Sequence, residues 1–186
     1  MNYAWGVALS PTAYRFTVKD YHRMAEAEIF DPKDRVELVD GEVVEMSPIG
    51  TRHGACVSRL LHLVLPQIGD RAIVIAQQPV QIGEFSEPEP DFALLRWRDD
   101  FYADHHANPP DIYLVIEAAD TSLRHDLLRK APLYIAGGVP DVWVVDLVAE
   151  VVHVTRGGTT CLLRAGDSVA PLAFPDLIID LSAILP

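Results

Sequence analysis

Several things are scarce in this chain, and each scarcity removes a class of protein. Cysteine occurs twice in 186 residues, at Cys56 and Cys161. Two distant thiols make neither a disulfide framework nor a metal knuckle, so both read as small buried hydrophobes. Aromatic residues reach only 8% against 49% apolar residues overall, an ordinary globular composition. No apolar run approaches the roughly 18 residues that a membrane span needs. Met1 to Pro11 lacks a cationic region followed by an apolar segment, so no secretory signal is expected and the chain is placed in the cytoplasm. Positive charge is also scarce, with 15 Lys and Arg against 27 Asp and Glu for a net charge of −12. That balance argues against a protein that coats nucleic acid, although a local basic patch still attracts a polyanion. Arg52 with Arg59, Arg96 with Arg98, and Arg124 with Arg129 and Lys130 are such patches, and each also fits a solvated surface. No repeat, low-complexity tract or linker divides the sequence, so residues 1–186 are expected to form one domain.

What is present reads as alternating helices and strands. Thr17-Val18-Lys19-Asp20 is a cap-like entry to a helix reaching about Ile29, which Asp31-Pro32 ends. Val36 to Val39 and Glu42 to Met46 flank Asp40-Gly41, the strongest hairpin signal in the chain. Val57, Leu60, Leu61, Val64 and Leu65 recur at three and four within Thr51 to Ile68, predicting an amphipathic helix. Ala72 to Ile82 is β-like, and a turn-rich loop from Gly83 to Pro90 delivers Asp91 to the apolar run Phe92 to Leu95. Ile112 to Ile116 has the near-continuous apolar character of a central strand and closes on Glu117. A helix follows from Thr121 or Ser122 to about Ala136, ended by Gly137-Gly138, with Pro132 expected to bend it and strand the Leu128 carbonyl. Val142 to Val145, Val151 to Val154 and Cys161 to Leu163 predict a meander turning at Arg156-Gly157-Gly158. Leu177 to Leu185 is a short apolar segment suited to packing along an edge.

The chemistry concentrates between Pro90 and Lys130. Asp91 heads one apolar run, Glu117 closes the next, and Lys130 lies on the following helix. A carboxylate at the end of an apolar run is costly to bury unless paired or metal-bound. Two carboxylates on neighbouring strands suit one hard divalent cation, Mg²⁺ or Mn²⁺, and a nearby ammonium can orient water or stabilise charge on a phosphate. The plainer readings are a strand start at Asp91 and a helical ion pair between Lys130 and Asp126. His53 near a helix start is either a surface histidine or a catalytic or phosphate-contacting group. Asp104-His105-His106 resembles a metal cluster, but adjacent histidines in a polar loop point in different directions. Tyr134 and Trp143 read as core aromatics.

The ordered series Glu37-Leu38-Val39-Asp40-Gly41, His53, Pro90-Asp91, Glu117, Asp126 with Lys130 and Tyr134, and Gly138-Val139-Pro140-Asp141-Val142-Trp143 with Asp146 resembles the Uma-two-type restriction endonuclease family of the PD-(D/E)XK nuclease superfamily. The resemblance covers roughly residues 17–155 and rests on the series, since no single motif in it is specific. It implies an α/β fold with a restriction-endonuclease-like central mixed sheet flanked by helices, preceded by an N-terminal helix and hairpin. It further implies a divalent metal at Asp91 and Glu117, Lys130 as the catalytic lysine, and Glu37 as a candidate outer metal ligand, where the residue alone reads equally as an exposed hairpin position. Two features depart from the pattern. The superfamily usually carries its lysine two residues after the acidic residue, where this chain has Ala119. The segment after Glu117 carries Asp120, which either supports the metal from outside its ligands or weakens the approach of a phosphate.

The leading expectation is a metal-dependent endonuclease acting on DNA. A homodimer would suit the cutting of both strands. A non-catalytic interaction or dimerisation module that keeps the fold is the rival, favoured by the net acidity and by Asp120. A hydrolase of a small phosphorylated substrate is a third reading.

Overall fold

The computed structural model describes residues 12–31 and 33–186. The sequence features at Met1–Pro11 and at Pro32 lie outside the described residues.

The centre is a six-stranded mixed sheet of β3 (Ile73–Ile75), β4 (Phe92–Leu95), β5 (Ile112–Ala119), β6 (Asp141–Asp146), β7 (Val151–Arg156) and β8 (Thr159–Arg164), in that spatial order. Only β5 and β6 run parallel, and the other neighbours are antiparallel. The β5–β6 crossover carries the helices that cover one face, while α2 (Thr51–Ile68) covers the other. Because side chains alternate along a strand, each central strand feeds both layers. Leu114, Ile116 and Ala118 join Cys56, Leu60 and Val64 of α2, while Val115 and Ala119 join Tyr134 and Val144. Helices on both faces therefore make β5 and β6 apolar throughout except where a function or a hydrogen bond claims a position.

Three local devices shape the approach to the site. Helix α1 (Val18–Glu26) starts on a capping box, in which Thr17 Oγ1 accepts the Asp20 N–H and the Asp20 carboxylate accepts the Thr17 N–H. It ends three residues short of Ile29, because Glu28 takes a left-handed backbone at φ 54°. The hairpin β1 (Val36–Val39) and β2 (Glu42–Glu45) turns on Asp40 and Gly41, both at positive φ, as a tight two-residue turn demands. Gly41 is also pressed against Arg15, so a Cβ there would lie 2.6 Å from the Arg15 Cβ. A bridge between Leu38 and Glu87 ties the hairpin to the loop that precedes β4.

Five expectations change. Ala72 to Ile82 is a strand only over Ile73–Ile75. Gln77 adopts φ 52° and Pro79 has no N–H to give, so the rest runs beside the next loop through Gln77 N–H to Pro90 O, Val80 N–H to Pro88 O and Ile82 N–H to Ser86 O. Strand β5 does not close on Glu117 but continues to Ala119, placing the carboxylate within the sheet. Cys56 is buried, but Cys161 is exposed because β8 is the edge strand and presents most of its residues to solvent. Within α2 the buried stripe is Cys56, Val57, Leu60, Val64 and Ile68, leaving Leu65 outside. The segment from Leu177 is more than an edge strap: Leu177, Ile179, Leu181, Ile184 and Leu185 are buried in the layer containing α2, where β10 (Ile179–Asp180) pairs with β9 (Ser168–Val169).

The crossover helix is built in three pieces: α3 (Leu123–His125), a π-helical turn (Asp126–Lys130) and α4 (Ala131–Gly137). Pro132 cannot donate to an α-helical partner. The π turn immediately before it widens the step, with the Ala131 N–H donating to Asp126 O five residues back. Gly138, at φ 99°, caps the end.

Candidate active site

Register alone brings the two central carboxylates together. Phe92 pairs with Ile116 across β4 and β5, so the next residues outward, Asp91 and Glu117, face each other on the side that carries Ala93 and Val115. Asp91 is held by its neighbours: Oδ2 accepts the Ala118 N–H at 2.8 Å and Oδ1 lies 3.0 Å from His53 Nε2. His53 arrives from the first turn of α2, and Gln77 lies 3.4 Å from the same ring nitrogen. The contact with Asp91 raises the His53 pKa, against the opposing effect of its partial burial.

Lys130 comes from the π turn and enters the sheet face between two acids. Its Nζ lies 2.9 Å from Glu117 Oε1 and 3.1 Å from Glu37 Oε2, and it donates to Glu89 O at 3.1 Å. Lys130 therefore does not pair with Asp126, which instead accepts from Ser122 Oγ at 2.5 Å. Burial alone would push the Lys130 ammonium down, but Glu117 and Glu37 outweigh it and keep the group charged. Burial pushes the Glu117 carboxyl well above the usual range, opposed by Lys130 and reinforced by the Asp91 charge. Burial also acts upward on Glu37, but His125 and Lys130 overcome it and hold that carboxyl at about 2. His125 Nε2 stands 3.4 Å from Glu37 Oε1, out of line for a hydrogen bond, and is a buried nitrogen without a hydrogen-bond partner among the described residues. Lys130 is the better-placed partner of Glu37, at 3.1 Å.

Tyr134, one helical turn beyond Lys130, donates from its hydroxyl to Glu117 Oε1 at 2.7 Å. It is a core aromatic by burial and a part of the site by its hydroxyl; its spacing from Lys130 is the sequence signal that could have shown this. Trp143 is fully buried, and its indole donates to Asp141 Oδ1. His125 and the Glu89 carbonyl left no signal in the sequence, since a backbone carbonyl and a residue on an irregular helix have no readable spacing. Asp104, His105 and His106 do not converge: His105 lies beside Arg98 and Tyr102, while His106 turns toward His22.

These groups line a cleft of about 420 Å³, closed on one side by the hairpin and on another by Ser47 to Gly50. Glu37, His53, Asp91, Glu117 and Lys130 all reach it, together with Asp120, Asp126, Arg35 and Arg124. The donor chemistry fits a hard cation. Asp91 and Glu117 present carboxylate oxygens, and Glu117 Oε2 accepts no hydrogen bond from the described residues, since both of its partners hold Oε1. The remaining basic patches are mostly engaged elsewhere: Arg59 donates to Leu185 O, Arg98 pairs with Asp100 and Arg129 with Glu42.

A family model described as "Putative restriction endonuclease" matches residues 18–182. The chain belongs to this family, Uma2. The same fold occurs in a crystal structure titled as a putative nuclease belonging to DUF820 from Anabaena variabilis ATCC 29413, with a TM-score of 0.69 at 16% identity, covering 91% of this chain and 97% of that one. No curated protein matches the chain. Membership of the Uma2 family carries the nuclease class, and the mixed sheet flanked by helices is the nuclease-like fold of the solved neighbour. No helix among the described residues is long and apolar enough to cross a membrane.

Proposed function

We propose that this Uma2 chain is a divalent-metal-dependent DNA endonuclease of one domain, hydrolysing a phosphodiester bond in the cleft between the hairpin and the sheet. The observation that carries the reading is the meeting of Asp91, Glu117 and the Lys130 ammonium from three separate elements, with Lys130 Nζ 2.9 Å from Glu117. Asp91 and Glu117 would hold Mg²⁺ or Mn²⁺. Such a cation, when bound, supplies Lewis acidity to the phosphate and makes water a better nucleophile.

The protein's own groups divide the remaining work. Ala119, two residues after Glu117 on the same face of β5, carries no amine, and the Lys130 ammonium reaches Glu117 from the π turn instead. It orients the attacking water and offsets charge on the phosphate, as a preorganised donor in a buried site can. Glu37 fixes Lys130 from the opposite side, and Tyr134 fixes Glu117. His53 orients Asp91 and is placed to exchange a proton at the mouth of the cleft. Arg35 and Arg124 on the cleft wall are the cations available to flanking phosphates.

The rival reading, a non-catalytic interaction module, is favoured by the acidity of the cleft, where Asp120 adds to Glu37, Glu89, Asp91, Glu117 and Asp126. Cleavage of supercoiled plasmid in Mn²⁺ separates the two. The nuclease reading expects nicking or linearisation by the wild type and none by a folded Asp91→Ala, Glu117→Ala variant. Equal cleavage by both proteins would remove these carboxylates from the mechanism. Absence of Mn²⁺ binding together with no retention of DNA at low salt would favour the interaction module.

A further inference from the structure

A second group of potential metal ligands lies away from the cleft. His22 on α1, Glu87 in the loop before β4 and His106 in the long loop after β4 place one ligand atom each within 4.8 Å of one another. Glu87 is the anchor. It is only 4% exposed, and among the described residues both of its carboxylate oxygens meet a single partner, His22 Nε2, at 2.8 and 3.0 Å. The His106 ring stands edge-on to that of His22, with ring centroids 6.4 Å apart. The three parent segments are pinned by backbone bonds. Val18 N–H donates to Glu84 O, Glu87 N–H to Leu38 O, and Gln81 N–H to Ala107 O.

We propose that His22, Glu87 and His106 form a binding site for a zinc-type divalent cation that clamps α1 to the two loops. Two imidazoles and one carboxylate are the donor set of a borderline cation, whereas Mg²⁺ prefers oxygen alone. Four-coordinate zinc brings its ligands to about 3.4 Å from one another, a contraction within reach of side-chain rotation at the surface, and water completes the fourth position. The site is chemically distinct from the all-oxygen pair at Asp91 and Glu117. It is also linked to it: Glu89, two residues beyond Glu87, offers its carbonyl to Lys130 and its N–H to Glu37. A cation on Glu87 would therefore stiffen the segment that holds the lysine.

The test is calorimetric titration of the intact, tag-free protein with ZnCl₂ and with MgCl₂, alongside thermal unfolding, on three proteins. These are the wild type, His22→Gln with His106→Gln, and Asp91→Asn with Glu117→Gln. The expected result is one zinc ion bound by the wild type with a raised Tm. That binding persists in the carboxylamide variant and weakens about tenfold or more in the histidine variant, while Mg²⁺ gives no response from these three groups. The single His106→Gln variant, altered only on a surface loop, supplies the comparison if the double histidine variant does not match the wild-type circular dichroism. Zinc binding that survives the loss of both histidines, zinc binding abolished by the Asp91 and Glu117 changes alone, or no zinc binding by the wild type would each overturn the proposal.

Discussion

At the residue scale the site is a charge ledger around one ammonium. Lys130 faces Glu117 and Glu37 in a nearly dry setting, and removing one partner of such a group leaves the others buried without compensation. Lys130→Met is expected to lower stability by roughly 3–5 kcal/mol. Urea unfolding measures the loss, and the variant should bind Mn²⁺ yet cut no DNA. Glu37 supplies a pH signature. Its carboxyl falls from an unfolded value of 4.5 to about 2 in the folded protein. A depressed acid contributes stability that is present above its unfolded pKa and lost as pH falls through the folded one. Glu37→Gln should therefore cost on the order of 3 kcal/mol near neutrality, with the difference from wild type shrinking between about pH 4.5 and pH 2. A difference that stays constant across that window would show that Glu37 is not held ionised by Lys130 and His125.

At the element scale, the parts most readable from sequence were those fixed by local chemistry. Asp40-Gly41 dictated the hairpin because only that backbone closes a two-residue turn, and the three-and-four spacing dictated α2. Asp91 and Glu117 were visible because one heads an apolar run and the other follows one, and antiparallel register brings them together. Less was visible where tertiary contacts override local pattern. Val80 and Ile82 alternate like a strand, yet the left-handed Gln77 and Pro79 turn that segment into a partner of the 86–90 loop. The bend expected at Pro132 became a π turn, which no periodicity announces. Tyr134 looked like packing because burial and hydrogen bonding to an acid are not separable in a sequence. Gly41 tests how far the hairpin governs Glu37. Gly41→Ala combines a positive φ with a 2.6 Å approach to Arg15, and is expected to destabilise by about 1–3 kcal/mol and to reduce cleavage by moving β1. The neighbouring Asp40→Asn, at an exposed position that tolerates the same backbone, should be neutral within about 0.5 kcal/mol. Thermal denaturation of the pair reads both.

At the scale of the whole molecule, an acidic protein of net charge −12 must meet an anionic polymer. Several of its described basic residues, among them Arg71, Arg98, Arg129 and Arg156, are engaged in ion pairs, and the walls of the cleft carry mostly carboxylates. The divalent cation proposed at Asp91 and Glu117 would resolve that conflict by changing the sign of the charge that the phosphate meets. It would also suit Glu117, whose Oε1 is committed to Lys130 and Tyr134 while Oε2 accepts no hydrogen bond from the described residues. The most direct measurement is the anomalous difference map of a crystal soaked in Mn²⁺. The account predicts a peak bridging the Asp91 and Glu117 carboxylates, with the Lys130 ammonium beside it. A map whose only peak lies at His22, Glu87 and His106, or that shows none at either place, would contradict it.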